Sequence, residues 1–316
     1  MSISELAKKL KNEKKTALIC HVRPDGDSLG SALALKLALD SLGVSTDVYC
    51  SDPVPSRFFF LKEASLVKNS LTEEYDAIVA VDCADVTRLG EMAELFAKHK
   101  NTYSIDHHIS NNRYAKFNYV ADNSSNAENI LALIEELGVE ITKPIANLLA
   151  MGIVTDTGNF RHKNVTENTL VSAGKLVSFG ADLNNIYFHM FSKQSKERAK
   201  LFGMTMQKIR YFMDGKIAVA TVRLSDFEFA NAKQDETEGF IDFVMGISGV
   251  EVGACVMETA KDKYKISFRS KGPDVNAVAS TFGGGGHTLA SGCQICGDYE
   301  EVVDKITFAM TRYIPE

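Results

Sequence analysis

At 316 residues, 45% of them hydrophobic and 24% charged, the chain exceeds a usual single domain and has ample material for ordinary globular cores. Its net charge of −6, from 41 acidic against 35 basic residues, argues against a broad basic surface, so no long double-stranded nucleic acid is expected as a partner. No apolar run approaches the roughly 20 residues that span a bilayer, the N-terminus "MSISELAKKLKNEKK" has no apolar signal core, and the six Cys are scattered, so a reduced, cytoplasmic setting without a membrane partner is expected.

The N-terminal segment has the spacing of a surface helix. Apolar runs at 16–22, 46–50, 77–83 and 102–106, and a more polar one at 115–120, alternate with helical periodicity at 28–42, 91–99, 125–137 and 144–154. That alternation predicts an α/β fold with a parallel sheet flanked by helices. Ligands of such sheets bind beyond the carboxyl ends of the strands, near a switch in strand order. Residues 166–212 read as helices and a connector. From 216 the pattern changes to strands at 216–222, 250–258 and 264–270 and helices at 236–247, 274–281 and 299–313. The expected organisation is a first domain at 1–190, a helical connector at 191–212 and a second, smaller α/β domain at 213–316.

Four acidic or His clusters fall at the ends of these elements. His21, Asp25 and Asp27 follow the first strand in "HVRPDGDSLG"; Asp82 ends the third in "AVDC". Asp106, His107 and His108 end the fourth in "SIDHH", and Asp156 ends an apolar helix in "GIVTDTGNF". A single Asp at such a place is usually a helix cap or turn residue. Four clusters at the ends of one parallel sheet converge, which capping alone does not explain. Carboxylates packed together repel and raise one another's pKa unless cations compensate them. Mixed His and carboxylate donors suit manganese or iron more than magnesium. Six ligands with one shared carboxylate are enough for two metals about 3.5–4 Å apart, and such a pair supplies a readily deprotonated water and neutralises phosphoryl oxygens during in-line displacement. Metal-assisted phosphoester hydrolysis is the expected chemistry.

The second domain adds "FGGGGHTLASG" at 282–292, where consecutive Gly leave backbone N–H groups free to approach a phosphate. The alternative is a flexible loop. His287 follows at once, and Arg269, Ser270 and Lys271 lie upstream in "SFRSKG", so an Arg fork beside a Gly nest makes a phosphate clamp. "CQIC" at 293–296 has zinc-knuckle spacing without a second pair and reads as a buried strand.

These motifs resemble those of the DHH family of phosphoesterases. "HVRPDGDSLGS", "VDC", "DHH" and "TDTG" look like its four metal motifs in order, and "TEGFIDFVMGISGVEVGACV", "KISFRSKG" and "FGGGGHTLASG" are similar to the DHH-associated domain. Within the family the resemblance is to the bacterial subgroup of nano-RNases and pAp phosphatases. It implies a DHH catalytic metal-binding domain and a DHH-associated substrate-binding domain across a cleft. It further implies that His21 and Asp25 bind one divalent metal, that Asp27, His107 and Asp156 bind the other, and that Asp82 bridges them. Mn2+ is the expected ion, with Mg2+ or Co2+ as alternatives. Asp106 would orient the neighbouring imidazoles, and His108 would face the scissile phosphate, which makes Asp82, Asp106 and His108 the catalytic set. Arg269, Ser270, Gly284, Gly285, Gly286 and His287 would hold the terminal phosphate. The implied activity is hydrolysis of short oligoribonucleotides (nanoRNA) to mononucleotides and removal of the 3′-phosphate from pAp, a 3′,5′-bisphosphorylated nucleoside. A phosphodiesterase for cyclic dinucleotides (c-di-AMP) or linear dinucleotides is the alternative, and a homodimer is left open. Asn126, where the family more often has a small hydroxylated residue, and "ASGC", in place of a double Ala, bear on substrate preference.

Overall fold

The computed structural model describes residues 1–70 and 74–313. It divides into two compact units, Met1–Lys193 and Gln194–Glu316; residues 314–316, the end of the expected second domain, lie outside the described residues.

The first unit is laid on one sheet. In chain order it contains α1 (Ile3–Lys11), β1 (Lys15–Ile19), α2 (Gly26–Ser41), β2 (Ser45–Tyr49), β3 (Val67–Lys68), β4 (Ala77–Val81), α3 (Ala93–Lys98), β5 (Thr102–Asp106), β6 (Phe117–Val120), α4 (Asn126–Glu136), α5 (Lys143–Asp156), α6 (Glu167–Ser178) and α7 (Leu183–Tyr187). The strand order is β3-β2-β1-β4-β5-β6, and every pairing is parallel. The central strands are almost continuously apolar because both faces are covered. Leu18 and Cys20 join a core with Leu33, Ile134 and Leu148, while Ala17 and Ile19 join another with Ile78, Leu89 and Phe96. The N-terminal helix α1 is amphipathic and buries Leu6, Ala7 and Leu10. The order of strands reverses between β1 and β4. The carboxyl ends of those two strands therefore form the crevice where a doubly wound sheet takes its ligand.

Helices α2 and α5 cross with their backbones nearly touching. A Cβ on Gly30 would collide with the carbonyl oxygen of Leu148, and one on Gly152 would lie 2.6 Å from Asp27 Oδ1. Backbone cannot step aside as a flexible side chain can, so Gly30→Ala is expected to destabilise the protein by about 1–3 kcal/mol. Urea denaturation checks this, and an unchanged midpoint would show that the helices can separate freely.

After α7 a π turn covers Phe188–Ser192. The second unit contains α8 (Lys196–Gln207), β7 (Arg210–Phe212), β8 (Ile217–Val222), α9 (Leu224–Ala230), α10 (Phe240–Gly246), β9 (Val252–Ala260), β10 (Lys263–Ser270), α11 (Val275–Ser280), β11 (Gly285–His287), β12 (Ala290–Cys296) and α12 (Tyr299–Thr311). Its sheet runs β11-β12-β10-β9-β8-β7 and is mixed, with β8 and β9 parallel and the other described pairs antiparallel.

Two expectations change here, and the strand reading of "CQIC" holds. Residues 191–212 are not a free-standing connector: 191–193 belong to the first unit, Leu201 of α8 is buried with Ala220 and Val222, and β7 pairs with β8. The helix expected at 236–247 is interrupted by Gly239, whose φ of 80° lies in the left-handed region, so the α-helix starts only at Phe240. "CQIC" is strand β12, where an offset of three residues puts Cys293 and Cys296 on opposite faces. Cys293 is buried and Cys296 exposed, and the strand alternation denies them a shared ion. No helix among the described residues is long and apolar enough to cross a membrane.

Candidate metal centre

The ends of β1, β4 and β5 and of α5 deliver the clustered residues. β1 ends at Ile19, two positions before His21; β4 ends at Val81, one before Asp82; β5 ends on Asp106, and α5 ends on Asp156. Asp82 adopts φ 57°, a left-handed conformation that Asp and Asn tolerate better than most residues.

Asp25 and Asp27 each accept from the N-terminus of a helix and each also face an imidazole. Asp25 is the N-cap of α2, and its Oδ1 accepts from the backbone N–H groups of Asp27 at 3.1 Å and Ser28 at 3.0 Å. Its other oxygen, Oδ2, lies 3.4 Å from His21 Nε2. Asp27 accepts from the first turn of α4, through Asn126 N at 2.6 Å and Ala127 N at 2.8 Å, and from the Ser31 hydroxyl at 3.1 Å. Its Oδ2 is also 4.0 Å from His107 Nε2.

Asp82 stands between two groups of donors. Its Oδ2 is 3.6 Å from His21 Nε2, and its Oδ1 is 3.4 Å from His107 Nε2. His107 Nε2 is also 3.4 Å from Asp156 Oδ2. Ligand atoms of His21, Asp25 and Asp82 lie within 4.8 Å of one another, as do those of Asp27, His107 and Asp156, and those of Asp82, Asp106, His107 and His108. Asp82 Oδ1 is buried and has no hydrogen-bond partner. A buried carboxylate oxygen left unpaired is costly, and a cation would satisfy it. The donors thus fit a divalent metal.

The electrostatics agree. Burial opposes charge on His21, but Asp25 and Asp82 overcome it and raise its pKa to about 10. Burial opposes charge on His107 too, and Asp82 and Asp27 raise it to about 10. Burial would raise Asp82, yet His107 and His21 hold it well below the usual carboxylate range. Burial and then the Asp82 charge push Asp27 well up, and the same two causes bring Asp156 to about 7. Without cations, the cluster compensates its carboxylates with protons.

The imidazoles are oriented from outside the cluster. His107 Nδ1 meets the carbonyl of Asn123 at 3.1 Å and His21 Nδ1 that of Val22 at 2.8 Å. Donation to these carbonyls leaves Nε2 as the ligand atom of each ring. Asp106 is fully buried and accepts from His107 N at 2.9 Å, His108 Nδ1 at 2.7 Å and Asn111 Nδ2 at 2.6 Å. It therefore orients the ring of His108 alone of the two expected imidazoles, because the ring of His107 is held by Asn123. Sequence reasoning missed Asn111, Asn123 and Arg88, whose Nη2 is 3.0 Å from His21 Nδ1. Asn111 and Asn123 sit in polar loops and Arg88 in the short helical turn Val86–Met92, with no spacing to mark any of them.

In the second unit, Arg269 pairs with Ala290, and Ala290 pairs with His287. Residues directly opposite across a sheet share a face, so the side chains of Arg269 and His287 point to the same side. Arg269 Nη1 donates to the Phe268 carbonyl at 3.0 Å, and the Ser270 hydroxyl donates to the Pro273 carbonyl at 2.5 Å. The expected open Gly nest is only partly present. Gly283 N donates to Ser280 O at 3.1 Å and Gly284 N to Ala279 O at 3.0 Å, closing the end of α11. Gly285, Gly286 and His287 form β11 on the edge of the sheet. The Gly284 position also lacks room for a Cβ, which would strike the Gly292 carbonyl.

The chain matches the DHH family, N-terminal domain, over residues 15–153 and the DHHA1 domain over residues 214–316. It is 31% identical over 311 residues to the bifunctional oligoribonuclease and PAP phosphatase NrnA of Thermus thermophilus, covering 92% of this chain and 89% of that protein. It is 28% identical over 280 residues to the protein of the same name from Bacillus subtilis, covering 87% of each. Among solved structures, an exopolyphosphatase-related protein from Bacteroides fragilis matches with a TM-score of 0.82 at 26% identity, over 98% of this chain and 96% of that one. Fold, donor cluster and relatives define the chain as a hydrolase of phosphoester bonds. It belongs to the DHH phosphoesterase family, with a DHH domain followed by a DHHA1 domain.

Proposed function

We propose that the protein is a two-metal phosphoesterase that hydrolyses very short RNA to mononucleotides and removes the 3′-phosphate from pAp. The observation that carries this reading is Asp82, with one oxygen toward His21 and the other, unpartnered, toward His107. His21 and Asp25 would hold one ion, Asp27, His107 and Asp156 the other, and Asp82 would serve both. Imidazole mixed with carboxylate suits Mn2+, with Mg2+ or Co2+ as alternatives. When bound, the pair supplies an acidified water and neutralises charge on the phosphoryl oxygens.

The chain's own residues do the rest. Asp106 holds His108 Nδ1, so Nε2 is the nitrogen left for substrate. The hydrogen bond His108 donates to Asp106 raises the pKa of His108, so its ring is positioned to donate a proton toward the scissile phosphate. In the second unit we assign Arg269, Ser270 and His287 to the terminal phosphate, with Gly285 and Gly286 lending backbone; Gly284 contributes fit rather than a free N–H. The relatives named oligoribonuclease and PAP phosphatase support this choice of substrates.

A net charge of −6 gives little grip on a long backbone. Activity should therefore fall as RNA length grows. The test measures kcat/KM on manganese-loaded protein for pAp, for RNAs of two, five and twenty-four nucleotides, and for cyclic di-AMP. Fast cleavage of pAp and the two shortest RNAs is expected. Equal rates on short and long RNA would sink the reading, and strong preference for the cyclic dinucleotide would move the substrate to that class.

A further inference from the structure

Beside Asp25 and Asp156 lies a cavity of about 240 Å3 that none of the assignments above uses. Its remaining walls include Arg57 and Phe58, from the short helical turn Ser56–Phe58, and Met190 and Phe191, from the π turn Phe188–Ser192. Just past the first turn, the ring of Phe60 stacks on that of His189 in the π turn, with centroids 4.4 Å apart and planes 5° from parallel. Phe58 is buried, whereas Met190 and Phe191 are partly exposed and Arg57 is exposed. π turns concentrate at functional sites because the extra residue re-aims the side chains around it.

The position of the cavity says what enters it. The Asp27 and Asp82 side chains are 0% and 3% exposed, but those of Asp25 and Asp156 are 47% and 26% exposed. The cluster is therefore open at Asp25, at Asp156 and at His108, the last 33% exposed, and a phosphate that meets it there lies beside the cavity that Asp25 and Asp156 line. The group esterified to that phosphate then runs into the adjoining cavity. An aromatic ring and a thioether present flat, polarisable, apolar surface, and a guanidinium can both stack and donate hydrogen bonds. These are the partners of a nucleobase. A chain of bare phosphates would leave Met190 and Phe191 facing charge and would find one cation where it needs several.

We infer that this cavity is a nucleobase subsite for the nucleoside joined to the scissile phosphate, with Met190 and Phe191 packing on the base and Arg57 reaching its edge or sugar. This rests on the phosphoesterase reading above and narrows it, because the substrate must carry a base on that side. The assignment also makes these three residues determinants of specificity, since none is placed to bind metal.

The test pairs substrate deletion with side-chain deletion. Manganese-loaded wild type, the double variant Met190→Ala/Phe191→Ala and the single variant Arg57→Ala are compared on the dinucleotide pApA and on its two analogues lacking one base or the other. Wild type should favour pApA over one of the two abasic analogues by roughly tenfold or more in kcat/KM, the scale of one base stacked on a side chain. The double variant should cut pApA and that analogue at rates within about threefold of each other, with KM rather than kcat carrying the change. Arg57→Ala, at an exposed site where folding is not at risk, should reduce the preference in part. Metal content and thermal midpoint should stay at wild-type values in all three. A preference for the base that survives the double substitution, or an equal loss on every substrate, overturns the subsite alone. A wild type that cleaves no dinucleotide overturns the substrate reading and the subsite with it.

Discussion

Asp82→Asn is expected to lower kcat/KM by at least about a thousandfold, or roughly 4 kcal/mol of transition-state stabilisation. The substitution keeps size and shape and removes charge from the position that both donor groups share. Asp82 lies 3.6 Å from His21 Nε2 through one oxygen and 3.4 Å from His107 Nε2 through the other. An amide puts N–H hydrogens where one of two cations would need a lone pair, so both ion sites weaken together. Asn is also the replacement least able to mislead. The residue sits at φ 57°, which Asn adopts readily and Ala does not, so a lost activity will not reflect a strained backbone. Metal content by mass spectrometry and the thermal midpoint should accompany the kinetics. We expect fewer bound ions per chain in a protein that is still folded. Turnover at the wild-type rate in excess manganese would exclude the shared role.

The sequence carried the parts of this site that are repetitive or local. Buried parallel strands are apolar on both faces, so β1, β4 and β5 stood out as short runs, and the charged residues at their ends stood out against them. Asp25 and Asp27 illustrate why one motif could support two readings: each caps a helix and also faces an imidazole. Other features left no such trace. β3 is two residues long, and β11 is built of Gly285, Gly286 and His287, so neither has a side-chain alternation to detect. The Gly run looked like an open nest because a sequence does not reveal that Gly283 and Gly284 spend their N–H groups on the end of α11. Asn111 and Asn123 act through hydrogen bonds to Asp106 and His107 that no residue spacing marks, and Arg57 and Phe191 become neighbours of Asp25 only after the chain has closed. Contacts of that kind depend on tertiary geometry alone.

Metal binding is expected to be tightly coupled to proton release. His21 and His107 both have pKa values raised to about 10 by the carboxylates around them, so near neutrality each ring carries a proton that a metal must displace. Asp156, raised to about 7, and Asp27, pushed well above the usual carboxylate range by burial and by Asp82, add to the protons held. Each proton displaced costs a factor of about ten in apparent affinity per pH unit, so binding should strengthen by roughly a hundredfold or more for each unit between pH 6 and 8. The same shifts fix the stability of the metal-free protein. A folded pKa above the unfolded one contributes stability that is complete below the unfolded value and is lost as pH rises through the folded value. For His21 and His107 that loss runs from their ordinary 6.5 up to about 10. For Asp156 it runs from 3.8 up to about 7. All three act in one direction, so chelator-stripped protein should lose thermal stability with increasing pH. In metal-loaded protein the cations replace these protons, and the gap in melting temperature between loaded and stripped protein should widen from pH 6 to pH 9. Calorimetric titration of manganese into stripped protein, repeated in two buffers of different ionisation enthalpy, counts the protons directly; about two or more should leave near pH 7. An affinity independent of pH, with no buffer-dependent heat, would mean that the two imidazoles do not bind the metal.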